Sequence, residues 1–133
     1  MKLNTFTTKL IVENSDKSFH DFIIDGKSLY ELLKKHEYIP CIGTGISKYK
    51  QEIIEELTLK RLSKLGGNRY PLLTCADCGD LNCGFISAII EEDNNLIIWR
   101  DFKKGDQMKL NHLGPYYFEK SNYAKTIVNT SSI

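Results

Sequence analysis

Little in this 133-residue sequence is in excess. No apolar run approaches the roughly 20 residues needed to cross a bilayer, and the opening Met1-Lys2-Leu3-Asn4-Thr5-Phe6-Thr7-Thr8-Lys9 lacks the continuous apolar stretch of a secretory leader. The expectation is a soluble cytoplasmic protein with no membrane partner. With 18 Lys and Arg against 17 Asp and Glu, the formal net charge is +1, so no global field favours nucleic acid. Neither internal repeats nor a low-complexity linker divide the chain, which reads as a single domain over residues 1–133. At this length roughly two-thirds of the unfolded chain's surface is buried on folding, and a core forms without obligatory disulfides. In a reducing compartment the 4 cysteines are then available for metal binding or simple burial.

Three of those cysteines stand in one short run, Cys75-Ala76-Asp77-Cys78-Gly79-Asp80-Leu81-Asn82-Cys83-Gly84. A C-x-x-C pair closed by glycine is the pattern of a zinc knuckle, in which a tight turn aims two thiolates at one metal. The second C-x-x-C that would complete four ligands is missing. Cys75, Cys78 and Cys83 would need Cys41, or one of His20, His36 and His112, as the fourth. The competing reading is a set of buried thiols at a turn, since cysteine is often buried without doing chemistry. A redox role is disfavoured, because thioredoxin-like pairs open a helix, and here Gly79-Asp80 leads back into a strand. Asp77 and Asp80 read as turn-stabilising carboxylates. Gly43-Thr44-Gly45-Ile46-Ser47 lacks the Lys-Ser/Thr of a phosphate-binding loop and reads as a hinge or cap.

Around this motif the periodicity alternates between strand and helix. Strands are expected over residues 3–12 and 20–24, the second closed by Asp25-Gly26. A helix follows over residues 28–36, with Ser28 and Glu31 as a capping box. Residues 36–47 read as a loop, 47–64 as a helix stopped by Gly66-Gly67, and 69–74, 85–91 and 96–102 as strands, the last two forming a hairpin. The polar Lys103-Lys104-Gly105-Asp106-Gln107 opens a surface loop reaching Gly114-Pro115, before a short strand at 116–119 and a capped helix over 121–128. Residues 130–133 are expected to fray. The sum is an α+β fold, with two or three helices packed on a mostly antiparallel sheet.

The stretch Leu73 through Phe85, with Trp99-Arg100-Asp101-Phe102 after a hairpin and Phe118 through Tyr123 near the end, resembles a group of small uncharacterised bacterial proteins. In these a C-x-x-C-G-D-x-x-C-G turn precedes a β-hairpin ending in a Trp-containing strand. The resemblance covers roughly the C-terminal half and implies no settled activity. In size and architecture alone the chain is also similar to the immunity proteins that neutralise toxin domains.

Two functional classes follow. The first is a non-catalytic protein-binding module, an immunity protein that covers a cognate toxin domain through complementary charge and a few aromatic anchors. Its expected contacts are Lys103, Lys104, Asp106, Tyr116 and Tyr117, with Glu55 and Glu56 as a second, acidic patch. Trp99, Phe102 and Phe118 are expected in the core, as are the two tyrosines unless they stand beside the polar loop. The second class is a small zinc-binding or thiol-dependent enzyme using Cys75, Cys78 and Cys83. Three thiolates make zinc a poorer Lewis acid, and no Glu or His is visibly placed to carry the proton. The cofactor expectation is accordingly none, or one structural zinc ion. A homodimer through a strand edge stays open.

Overall fold

The computed structural model describes residues 2–15, 17–43, 47–75 and 84–132. The chain begins with a hairpin, β1 (Phe6–Asn14) and β2 (Lys17–Ile24), and turns at Asp25-Gly26 into the short β3 (Lys27–Ser28). Both turn residues take positive φ, 53° and 79°, the geometry that lets a two-residue turn follow the twist of its strands. Helix α1 (Leu29–Leu32) and a 3-10 turn (Lys34–His36) lead to β4 (Tyr38–Pro40). Then follow α2 (Ser47–Leu57), β5 (Arg69–Cys75), β6 (Phe85–Asp93), β7 (Leu96–Lys104), β8 (Met108–Lys109), β9 (Tyr116–Glu119) and α3 (Lys120–Asn129).

The strands form two antiparallel sheets. One has the order β1-β2-β3, and the other runs β4-β5-β6-β7-β8 with β9 also on β7. A bridge between Phe19 and Gly43 and the His20 amide on the Ile42 carbonyl at 2.8 Å tie β2 to the residues just after β4. The α+β class and the antiparallel pairing agree with the sequence. Division into two sheets was not legible, because it depends on which edges meet.

The core sits between the sheets and is centred on Trp99, which is fully buried. Phe6, Phe22, Phe118 and Tyr123 present their rings to it with centroids 5.4, 5.4, 5.3 and 5.9 Å away, all edge-on, the arrangement that opposes positive ring edge to negative ring face. These residues come from β1, β2, β9 and α3, so one side chain joins both sheets to the terminal helix.

Several elements differ from their sequence reading. Ser28 caps α1, its Oγ accepting from the Glu31 amide at 3.0 Å, but the helix stops at Leu32 and tightens into the 3-10 turn. β4 replaces part of the expected loop because its three residues pair with Leu73, Thr74 and Cys75. Helix α2 ends at Leu57 instead of Lys64. Leu59 takes φ 64°, with its amide on the Glu56 carbonyl at 3.0 Å and the Lys60 amide on Glu55 at 2.8 Å. This is the left-handed termination usually made by glycine, and here a leucine makes it. Gly66 and Gly67, also at positive φ, shape the approach to β5. The expected fraying of residues 130–133 is corrected for 130–132, Ile133 lying outside the described residues. Thr130 is 2% exposed and its hydroxyl donates to the Ile127 carbonyl at 2.6 Å, holding a 3-10 turn over Thr130–Ser132.

A bulge in β7 shapes the far side of the larger sheet. Ser87 pairs with Lys103 and Ile89 with Arg100, leaving one extra residue on β7; Asp101, at φ 53°, absorbs it. Arg69 reaches across β6 to the freed Asp101 carbonyl at 2.8 Å and to Ser87 Oγ at 3.0 Å. The bulge kinks β7 just before its lysine pair.

Candidate functional site

The end of the larger sheet where the cysteine run leaves and returns gathers an unusual set of side chains. Tyr38 on β4 lies directly across from Cys75 on β5. Its ring also occupies the space above Gly84, where a Cβ would stand 2.2 Å from the hydroxyl. Lys104 at the end of β7 places its Nζ 5.8 Å from the Tyr38 ring centroid, within cation–π range. His36 is nearby, and its pKa is lowered by burial first and then by the positive charges of Lys104, Lys35 and His112. Its Nε2 is buried, with no hydrogen-bond partner among the described residues.

Adjacent to this group, β7 and β8 close a tight hairpin through Gly105, which takes φ 62°. The register sets Lys103 opposite Lys109, a like-charge cross-strand pair that opposes folding. Among the described residues no ion pair includes Lys35, Lys103, Lys104 or Lys109. Asp106, exposed in the turn, stands two residues after Lys104 and three before Lys109. A chain whose net charge is +1 therefore concentrates lysines at one end, with no carboxylate in ion-pair range of them among the described residues. Elsewhere several charges are paired: Arg100 with Glu91 at 2.8 Å, Lys120 with Glu92 at 2.9 Å, Arg61 with Glu55 at 3.0 Å.

One member of each pair, Arg61, Glu91 and Glu92, lines a cleft of about 440 Å³ together with Leu59, Tyr70 and Ile90 among others. Its Arg61, Glu91 and Glu92 are already engaged with neighbours, which leaves Lys60 as its one cation outside an ion pair among the described residues.

The residues singled out from sequence do not all meet. Lys103, Lys104 and Asp106 fall together on the β7–β8 hairpin. Tyr116 and Tyr117 lie on β9, opposite Trp99 and Ile98, four or more strand positions along β7 from Lys103 and so roughly 13 Å away. Tyr116 is half-buried against Phe102 and Phe118, at 5.7 and 6.2 Å between ring centroids, as the core reading expects. Glu55 is on the surface with Arg61, but Glu56 is 3% exposed. The expected Glu55–Glu56 acidic patch is therefore corrected: consecutive helical residues point about 100° apart, and Glu56 faces inward, where burial raises its pKa.

Of the metal candidates, Cys78 and Cys83 lie outside the described residues, as do Asp77 and Asp80. Cys41 and Cys75 are not brought together. The Cys41 amide bonds the Leu72 carbonyl at 2.8 Å, three positions from Cys75 and hence roughly 10 Å along the strand. Burial pushes the Cys41 thiol up to about 12, reinforced by the Glu56 carboxylate. His20 is buried in β2 beside Lys50. His36 and His112 are the histidines at the lysine end. Among the described residues no three His, Cys, Asp or Glu side chains are grouped to hold a metal ion, and no helix is long and apolar enough to cross a membrane.

Sequence reading missed Lys35, Tyr38 and Lys109 as members of this end. Only Lys109 carried a signal, as the partner of Lys103 across a Gly-Asp turn. Comparisons of the chain with protein-family models, with curated proteins and with solved structures find no match.

Proposed function

We propose that the chain is a non-catalytic protein-binding module of the immunity type, which neutralises a cognate toxin domain in the cytoplasm by docking its lysine end on an acidic surface. The observation that carries this reading is the cross-strand pair Lys103–Lys109 beside Lys104, with no carboxylate in ion-pair range among the described residues. Such a pair is unfavourable for folding, so an external acidic partner gives it a physical rationale. Clustered charge of one sign steers association and selects complementary surfaces. Asp106 adds a register-setting charge at the tip, and Tyr116 and Tyr117 extend the same sheet as aromatic contacts. Glu55 belongs to a separate surface.

The test is native mass spectrometry of the tagged chain recovered from its own host, beside a Lys103→Glu/Lys104→Glu variant. A stoichiometric protein partner is expected on the wild type and is lost, or bound roughly tenfold more slowly, after charge reversal. A partner held equally by both, or none on the wild type, overturns the reading.

A second reading keeps a zinc site at the same end, structural or in a small thiol-dependent enzyme. It is supported by the unpartnered His36 Nε2, on the segment that enters the strand paired with Cys75. Cys75, Cys78 and Cys83 would be its thiolates, and Cys41 its fourth ligand only if its strand moved. One zinc ion retained by the wild type and lost in Cys75→Ser supports it; a metal-free chain after refolding with zinc rejects it.

A further inference from the structure

The outermost strand of the smaller sheet is built to pair with itself. β1 is the terminal strand in the order β1-β2-β3. The Asp25 amide donates to the Thr5 carbonyl at 3.1 Å, so Thr5 and every second residue after it turn their backbone groups toward β2. The backbone groups of Asn4, Phe6, Thr8, Leu10 and Val12 consequently face outward. The first two are covered: the Asn4 amide donates to the Tyr117 carbonyl at 2.8 Å, and Asn122 Nδ2 donates to the Phe6 carbonyl at 3.4 Å. Beyond Phe6, among the described residues, nothing is hydrogen-bonded to the outward groups of Thr8, Leu10 and Val12.

A bare edge with an apolar side chain 65% exposed, as Val12 is, is an association site unless something blocks it. Lysine is the usual blocker, and Lys9 stands on this edge. Its position, however, makes the edge complementary to its own copy. In an antiparallel pair with its two-fold axis at Ile11, residue numbers across the interface sum to a constant. Lys9 then faces Glu13 of the second copy, Leu10 faces Val12, and both relationships occur twice. Glu13 stays on the face of Lys9 and Ile11 despite the register shift between Val12 and Asn14. The Tyr30 hydroxyl, whose ring packs 5.1 Å from Phe19 opposite Ile11, donates to the Glu13 carboxylate at 3.4 Å. That single weak bond leaves the carboxylate able to accept from a lysine. Lys9 forms no ion pair among the described residues.

We propose that the chain forms a two-fold homodimer by antiparallel pairing of β1 with β1 of a second copy, centred on Ile11, which joins two three-stranded sheets into one of six strands. The outward Leu10 and Val12 groups exchange hydrogen bonds with each other's copies. Leu10 and Val12 side chains extend the core side, and two Lys9–Glu13 pairs flank Ile11 on the opposite face.

Sedimentation velocity over a micromolar to submillimolar series tests this. A concentration-dependent dimer is expected, abolished by Val12→Lys with an unchanged circular dichroism spectrum. Lys9→Glu alone weakens the dimer roughly tenfold by turning two attractions into repulsions, and Lys9→Glu/Glu13→Lys restores it. Within one chain these residues lie about 13 Å apart along the strand, so rescue reports the pairing between copies. Because Ile11 falls at a close, non-hydrogen-bonded position on the axis, Ile11→Cys is expected to form a disulfide between copies, located by peptide mapping. A monomer throughout the series overturns the proposal. So does a dimer indifferent to charge reversal and unlinked at position 11.

Discussion

The Trp99 indole N–H donates to the Tyr123 hydroxyl at 3.2 Å, and that hydroxyl donates in turn to the Leu57 carbonyl at 2.7 Å. Both side chains are fully buried, and burial holds the tyrosine in its protonated form by raising its pKa. One hydroxyl thus satisfies the indole of β7 and a carbonyl at the C-terminal end of α2 while belonging to α3. Tyr123→Phe keeps the ring contacts and orphans both groups. It is expected to destabilise the fold by about 2 kcal/mol, read as a lower urea midpoint at unchanged slope.

Gly84 sits at φ 120°, with a hypothetical Cβ 2.2 Å from the Tyr38 hydroxyl and 3.0 Å from the ring carbon bearing it. Gly84→Ala is expected to destabilise by about 1–3 kcal/mol, from the backbone conformation and the collision together. Removing the hydroxyl with Tyr38→Phe relieves only the collision. The double variant should therefore recover part of the loss, with the remainder reporting the φ angle. Strict additivity in a double-mutant cycle would show that the two residues do not press on one another.

Acidification acts on the buried histidines with a definite sign. His20 has its pKa lowered from 6.5 by burial and then by Lys50, and His36 is lowered by burial and its cationic neighbours. The unfolded chain thus takes up these protons more readily than the folded one. Stability contributed by the neutral imidazoles is complete above pH 6.5 and is lost as the pH falls through 6.5 toward the folded-state values. Asp21 and Glu56, both raised by burial, work the opposite way by favouring protonation in the folded state. Comparing denaturant stability of the wild type and His20→Leu from pH 7.5 to 5 isolates the imidazole. The wild type is expected to lose stability more steeply, and parallel curves would refute this.

Periodicity alone located most of the strands. The extended apolar runs at 85–91 and 96–102, joined by the polar Glu92-Asp93-Asn94-Asn95, mark a hairpin, and asparagine accepts the positive φ of 48° and 67° that the turn requires. Lys103 and Lys104 of the β7–β8 hairpin were visible in a polar run, yet a two-residue strand such as β8 has no period of its own and takes its conformation from β7. The same holds for β4, whose three residues are extended because β5 offers them an edge. Leu59 shows the opposite failure: two glycines offered a helix stop, and packing chose a leucine before them.

The order of charged and apolar residues along the chain by itself determined the α+β class, the hairpin turns, the capping of α1 by Ser28 and the self-complementary Lys9-Leu10-Ile11-Val12-Glu13 pattern, because each rests on residues adjacent in sequence. Tertiary structure alone decided that Glu56 turns inward while Glu55 does not, that Cys41 and Cys75 stand apart, and that Lys35, His36, Lys104 and His112 share one end. Those relationships join residues far apart in sequence, and their distances follow from which strand edges pair and how two sheets close on Trp99.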